Sequence, residues 1–112
     1  MNNPSSTSLP EPIARYVDFA NRFDAAGAAS CFAPDAVVRD EQREYVGLPA
    51  IEAWVRHTSE AYRPQVEVTR FAADGEHVTM SGRVEGNFPG SPADLEYRVL
   101  LRHGRIAALT VG

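Results

Sequence analysis

From Pro12 to Ala26 the apolar residues return every third or fourth position. Ile13, Tyr16, Val17, Ala20 and Phe23 form one stripe with Phe19 at its edge, while Arg15, Asp18, Asn21 and Arg22 fall away from it. That spacing predicts an amphipathic helix, with Pro12 suited to its first turn, and it turns Tyr16 inward. Gly27 interrupts the pattern, and Ala28 to Phe32 reads as a short second helix closed by Pro34. A third helix is predicted over Pro49 to Tyr62. Ile51, Trp54, Val55, Thr58 and Tyr62 make its buried stripe, Glu52, Arg56 and Ser59 face solvent, and His57 lies on the flank. Pro64 prevents its continuation.

Elsewhere the period is two. Ala36 to Asp40 and Glu44 to Val46 read as a small hairpin, with Val38 and Asp40 on one face and Val37, Arg39 and Glu41 on the other. Both faces carry valine, so the pattern alone leaves the inward face open; the reading adopted turns Asp40 inward. Longer strands follow at Gln65 to Ala73, His77 to Phe88, Ala93 to Arg102 and Arg105 to Val111, with Asp74-Gly75 a hairpin signal. In the second of these Val78, Met80, Gly82, Val84, Gly86 and Phe88 form the apolar row, whose glycines mark bulges or a bend. In the third, Leu95, Tyr97, Val99 and Leu101 alternate with Glu96, Arg98, Leu100 and Arg102. Helices first and an antiparallel meander afterwards is an α+β arrangement: three N-terminal helices packed on a curved, mainly antiparallel sheet, a cone with a natural cavity between its layers.

Composition narrows the function classes. A chain of 112 residues builds one core, so the expected organisation is a disordered tail over 1–10 and a single domain over 11–112. The opening MNNPSSTSLPEP has neither a basic nor an apolar stretch and reads as a mobile tail, not a signal peptide. No run approaches the roughly 18 apolar residues of a membrane span. One cysteine precludes an internal disulfide and fits a reducing, cytoplasmic setting. A net charge of −4 argues against nucleic-acid binding, which needs a basic face. All 11 basic residues are arginines, which removes Schiff-base chemistry on a side-chain amine and any lysine-bearing phosphate loop.

Three segments carry a family likeness: Arg15-Tyr16-Val17, Phe32-Ala33-Pro34-Asp35-Ala36-Val37-Val38-Arg39-Asp40, and Tyr45-Val46-Gly47-Leu48-Pro49-Ala50-Ile51. With the order of elements, they resemble the nuclear-transport-factor-2-like superfamily in its SnoaL-like and ketosteroid-isomerase-like branch. The resemblance implies that Tyr16 donates a hydrogen bond to a developing oxyanion and that Asp40 shuttles a proton. It implies a homodimer through the sheet; separately, no cofactor is expected. The late-strand acid of that branch falls near Tyr97-Arg98, where Glu96 is the nearest carboxylate and lies opposite the apolar row.

The candidate site is therefore Asp40 and Tyr16 as catalytic residues, with Trp54, Tyr62, Val38, Phe88 and Tyr97 as walls for a hydrophobic small molecule. Two functions follow. One is a proton-transfer isomerase or cyclase on a hydrophobic ketone or ring-containing substrate. The other is a non-catalytic ligand-binding or dimerisation module of the same fold, suggested by the absent late acid. Cys31 reads as a small buried hydrophobe. His57 with Glu60 offers two potential ligands, too few for a zinc site, so no metal is expected.

Overall fold

A computed structural model describes residues 9–112; the tail expected over 1–10 therefore lies almost wholly outside the described residues. Three helices, α1 (Glu11–Asn21), α2 (Ala25–Ala29) and α3 (Leu48–Tyr62), pack on strands β1 (Phe32–Asp40), β2 (Arg43–Val46), β3 (Gln65–Asp74), β4 (His77–Glu85), β5 (Ala93–Arg102) and β6 (Arg105–Val111). The six strands form one sheet in the order β2-β1-β6-β5-β4-β3. Every neighbouring pair is antiparallel except β1 and β6, where the last strand slots in beside the first long one. The core lies between helices and sheet, and Ile13, Phe32, Val38, Ile51, Met80, Ile106 and Leu109 are fully buried in it.

The helical stripe of α1 behaves as predicted at Ile13 and Tyr16, but the helix stops at Asn21, not near Ala26. Phe23 takes φ +61°, which breaks the chain, and the Asp24 carboxylate then caps α2 by accepting from the Gly27 N–H at 2.9 Å. Gly27 thus sits inside a helix where the sequence suggested a break. The reason is close packing: a Cβ there would come within 2.4 Å of Phe19 Cδ1.

Pro34 closes no helix either. Residues 32–35, expected as a helix end and a turn, belong to β1. Against β6, the register jumps from Phe32↔Ile106 to Val37↔Ala108, so Pro34, which has no N–H to give, falls in the irregular stretch where no ladder bond is required. Beyond it Ala36 and Val38 are buried and Asp40 is half-buried, so the inward face is the one adopted from the sequence. Gly47, at φ +87°, swings the chain from β2 into α3. Ser59, expected on the solvent side of α3, is buried. It follows Val55 by four residues and precedes Tyr62 by three, a spacing that its polar character masked.

Candidate active site

The site is assembled by register. Across the inner face of the sheet, Tyr97 on β5 pairs with Val111 on β6. On the far side of β6, Arg39 pairs with Thr110, so the next rung sets Asp40 beside Val111. Tyr97, Val111 and Asp40 thus form one row across three strands, its ends about 10 Å apart from two inter-strand spacings. Tyr16 descends onto this row from α1, its ring edge-on to Phe32 with centroids 5.5 Å apart. These four residues, apart from Phe32, line one mostly apolar cavity of about 440 Å³ between the helices and the sheet.

Asp40 is the last residue of β1, and a tight turn follows it. Glu41 and Gln42 both adopt positive φ, at 53° and 66°, giving a two-residue connection to β2. The turn carries Glu41 round to the cavity, though strand alternation had assigned it to the opposite face. From α3, the Trp54 indole N–H donates to Asp40 Oδ2 at 3.0 Å. The Trp54 ring in turn leans on Tyr45, with centroids 6.0 Å apart. One carboxylate oxygen is therefore held by a donor on a rigid helix.

Two phenols, Tyr16 and Tyr97, stand in the wall near Asp40. Burial pushes Tyr97 up to about 12, with the Asp40 charge adding to the effect. Burial raises Tyr16 further, followed by the influence of Tyr97, Asp40 and Cys31. Both hydroxyls therefore stay protonated, as donors, well above neutral pH. Among the described residues neither hydroxyl has a hydrogen-bond partner.

At the other end of the cavity Tyr62 and Phe88 meet edge to face, with centroids 6.1 Å apart. Six of the seven residues expected at the site, Asp40, Tyr16, Trp54, Tyr62, Phe88 and Tyr97, line this one cavity. Val38 does not: it is fully buried, packed into the core behind the cavity wall. Sequence reading missed Val66, Val84, Leu95, Val111 and Ser59 as wall residues. Leu95 shares the alternating row of Tyr97, so the signal was present. Val66 reaches the cavity because Asn21 clamps it, accepting from its N–H at 2.8 Å and donating to its carbonyl at 2.9 Å.

Other chemistry-bearing groups are committed elsewhere. Burial pushes the Cys31 thiol up, against the opposing pulls of Arg15 and Ser30. A second hollow of about 380 Å³ lies between α2 and the end of α3. Its arginines are engaged, Arg56 with Glu52 at 2.6 Å and Arg63 over the Phe23 ring at 3.8 Å. Glu96 is exposed, as its place opposite the apolar row predicts. Among the described residues no group of three or more His, Cys, Asp or Glu side chains is arranged to hold a metal ion. No helix among them is long and apolar enough to cross a membrane.

Comparison with solved structures places this architecture. A candidate polyketide cyclase from Sinorhizobium meliloti is 35% identical, with 93% of this chain and 95% of that one covered and a TM-score of 0.89. A Catenulispora acidiphila protein of ketosteroid-isomerase-like fold, solved with trimethylamine, superposes with a TM-score of 0.84 at 19% identity, covering 94% and 86%. A candidate polyketide cyclase from Xanthomonas campestris does so at 0.77 and 20%, covering 90% and 86%. Those last two likenesses speak for the fold alone. No curated protein matches the sequence. The SnoaL-like domain matches residues 13–109, which is nearly the whole described chain. With its helices on a six-stranded, mostly antiparallel open sheet, the chain belongs to the SnoaL-like domain family and has the nuclear-transport-factor-2-like fold.

Proposed function

We propose that this protein transfers a proton on a hydrophobic, enolisable ketone or ring-containing substrate, as an isomerase or cyclase, with Asp40 as base and Tyr16 as hydrogen-bond donor. The observation that carries this reading is that both groups border one cavity of about 440 Å³, with Asp40 Oδ2 held at 3.0 Å by Trp54. The Asp40 carboxylate removes a proton from the carbon next to a carbonyl; the C–H electron pair becomes the enolate double bond, and the negative charge moves to oxygen. Tyr16 donates to that oxygen where water is scarce, which lowers the barrier. Protonated Asp40 then returns its proton to another carbon, or the enolate carbon closes a ring on an electrophile within the same molecule. The transfer moves one negative charge from Asp40 to the enolate oxygen, so no additional net charge enters the cavity. The likeness to a candidate polyketide cyclase at 35% identity supports substrates of this kind.

The test is hydrogen–deuterium exchange next to the carbonyl of hydrophobic ketones in D₂O, followed by NMR. Asp40→Asn is expected to lower the catalysed exchange by about 10²–10⁴-fold, the usual worth of a positioned base. Exchange at the wild-type rate in Asp40→Asn would remove Asp40 from the chemistry.

A second reading, a binding module without turnover, draws on exposed Glu96, which leaves the late-strand acid without a carboxylate at the cavity. It predicts ligand binding with no exchange in any substrate. In either case the proposed assembly is a homodimer through the outer face of the sheet, where half-buried Leu100 shares its row on β5 with Arg98 and Glu96 and sits beside His77 of β4. A cytoplasmic setting suits the lone buried thiol.

A further inference from the structure

We infer that the cavity takes hydrophobic ligands that carry a cationic amine, seated at the rim between the Glu41 carboxylate and the second oxygen of Asp40. This names a substrate class for the proposed proton transfer and rests on that reading for turnover alone; the binding claim has its own basis. All 11 arginines and all three histidines stand clear of the cavity wall, whose only charged residues are Asp40 and Glu41. Arg22, Arg39 and Arg56 are instead spent on Asp18, Glu44 and Glu52 at the surface. Arg43, across the hairpin from Asp40, is exposed and pairs with neither acid among the described residues. A charged ligand entering this space meets two negative groups and no positive one, which repels an anion and draws in a cation.

Glu41 is both exposed and part of the wall, so it stands at the cavity rim. Its backbone, at φ +53°, is the left-handed form that carries the chain round the turn and brings its side chain to that rim. Behind it, Trp54 engages Asp40 Oδ2, and Asp40 Oδ1 has no partner among the described residues. Five aromatic side chains, Tyr16, Trp54, Tyr62, Phe88 and Tyr97, line the same space. Aromatic ring faces are electron-rich and add to the attraction for a desolvated cation. An independent sign that the cavity is a ligand site comes from Tyr16 and Tyr97. They are only 8% and 6% exposed, and their hydroxyls on this wall have no partner among the described residues. The ligand that fits is amphipathic: its ammonium lies by Glu41 and its apolar body lies among Tyr62, Phe88 and Leu95.

The test pairs phenyltrimethylammonium, whose charge no pH change removes, with its neutral isostere tert-butylbenzene. Binding is followed by the fluorescence of Trp54, the chain's one tryptophan, which lies in the wall. Glu41→Gln is expected to weaken the ammonium about threefold, the scale of one exposed ion pair. Glu41→Arg puts repulsion where there was attraction and is expected to weaken it about tenfold or more. The isostere keeps its affinity in both variants, and Glu41 is exposed, so neither disturbs the core. Raising ionic strength from about 0.01 M to about 1 M is expected to weaken the ammonium alone. Equal losses for both probes, an ammonium affinity unchanged by both substitutions, or no ammonium binding to the wild type would overturn the inference. The exchange assay separates the two claims. Exchange on neutral ketones that Asp40→Asn abolishes, with no ammonium-selective effect of Glu41, would sink the amine preference and keep the Asp40 reading. An ammonium-selective loss without exchange on any ketone would do the reverse.

Discussion

At the scale of single residues, the site depends on three polar groups, Asp40, Tyr16 and Tyr97, kept in a mostly apolar wall. Each has a structural reason to be where it is: Asp40 ends a strand and is held by Trp54, Tyr16 belongs to the buried stripe of α1, and Tyr97 lies over a glycine. Burying a phenol has a measurable cost at high pH. Tyr97 holds its proton to about 12 in the folded chain, against about 10 when unfolded. Between those values the folded state binds the proton that the unfolded state has lost. This stabilisation is full below about pH 10 and drains away as pH rises towards the folded value, at up to about 1.4 kcal/mol per pH unit. Tyr97→Phe is therefore expected to flatten the fall of the unfolding midpoint with pH above about 10, read by thermal melts in a pH series. An identical slope in wild type and variant would show that the phenol is not buried as described. Asp40 was legible at this scale as a strand-end acid, though valine on both faces of its strand left its inward turn undecided. Its clasp by Trp54 was not legible, because it joins residues on a strand and a later helix whose approach no local spacing encodes.

At the scale of elements, the long amphipathic runs were read correctly and the short junctions were not. The stripes of α1 and α3 and the alternation of β5 repeat often enough to specify both type and inward face. Residues 22–35 offer no such repetition. There the outcome turned on Phe23 adopting a left-handed backbone, Asp24 capping α2, and Phe19 lying over Gly27. Gly27 gives a sharp test of which force prevails. Intrinsic propensity alone favours alanine in a helix by about 1 kcal/mol. The 2.4 Å approach to Phe19 Cδ1, with Asp24 Oδ2 at 2.7 Å, opposes it. Gly27→Ala is expected to destabilise the protein by about 1–3 kcal/mol, the scale of an overpacked core, visible as a lower urea midpoint. A raised midpoint would mean that Phe19 yields readily and that propensity decides.

At the scale of the whole molecule, the helices cover one face of the sheet and leave the other to solvent or to a second copy. The outer face mixes Leu100 with arginine and glutamate, so a dimer through it combines a modest apolar centre with charge pairs. Sedimentation at micromolar concentration is expected to show a dimer that Leu100→Glu converts to monomer, with ketone exchange retained. A wild-type monomer would remove the dimer from the account. The amino-acid sequence by itself determined the α+β class and the order and inward faces of the long elements, since periodicity is a local property that burial directly enforces. Only the tertiary structure decided that Val38 packs behind the wall, that Ser59 turns inward, and that Tyr97, Asp40 and Tyr16 surround one space. Those outcomes depend on the parallel insertion of β6 between β1 and β5, a pairing of the chain's last strand with an early one. Register between strands so far apart is settled by how the whole core packs, and no window of neighbouring residues contains it.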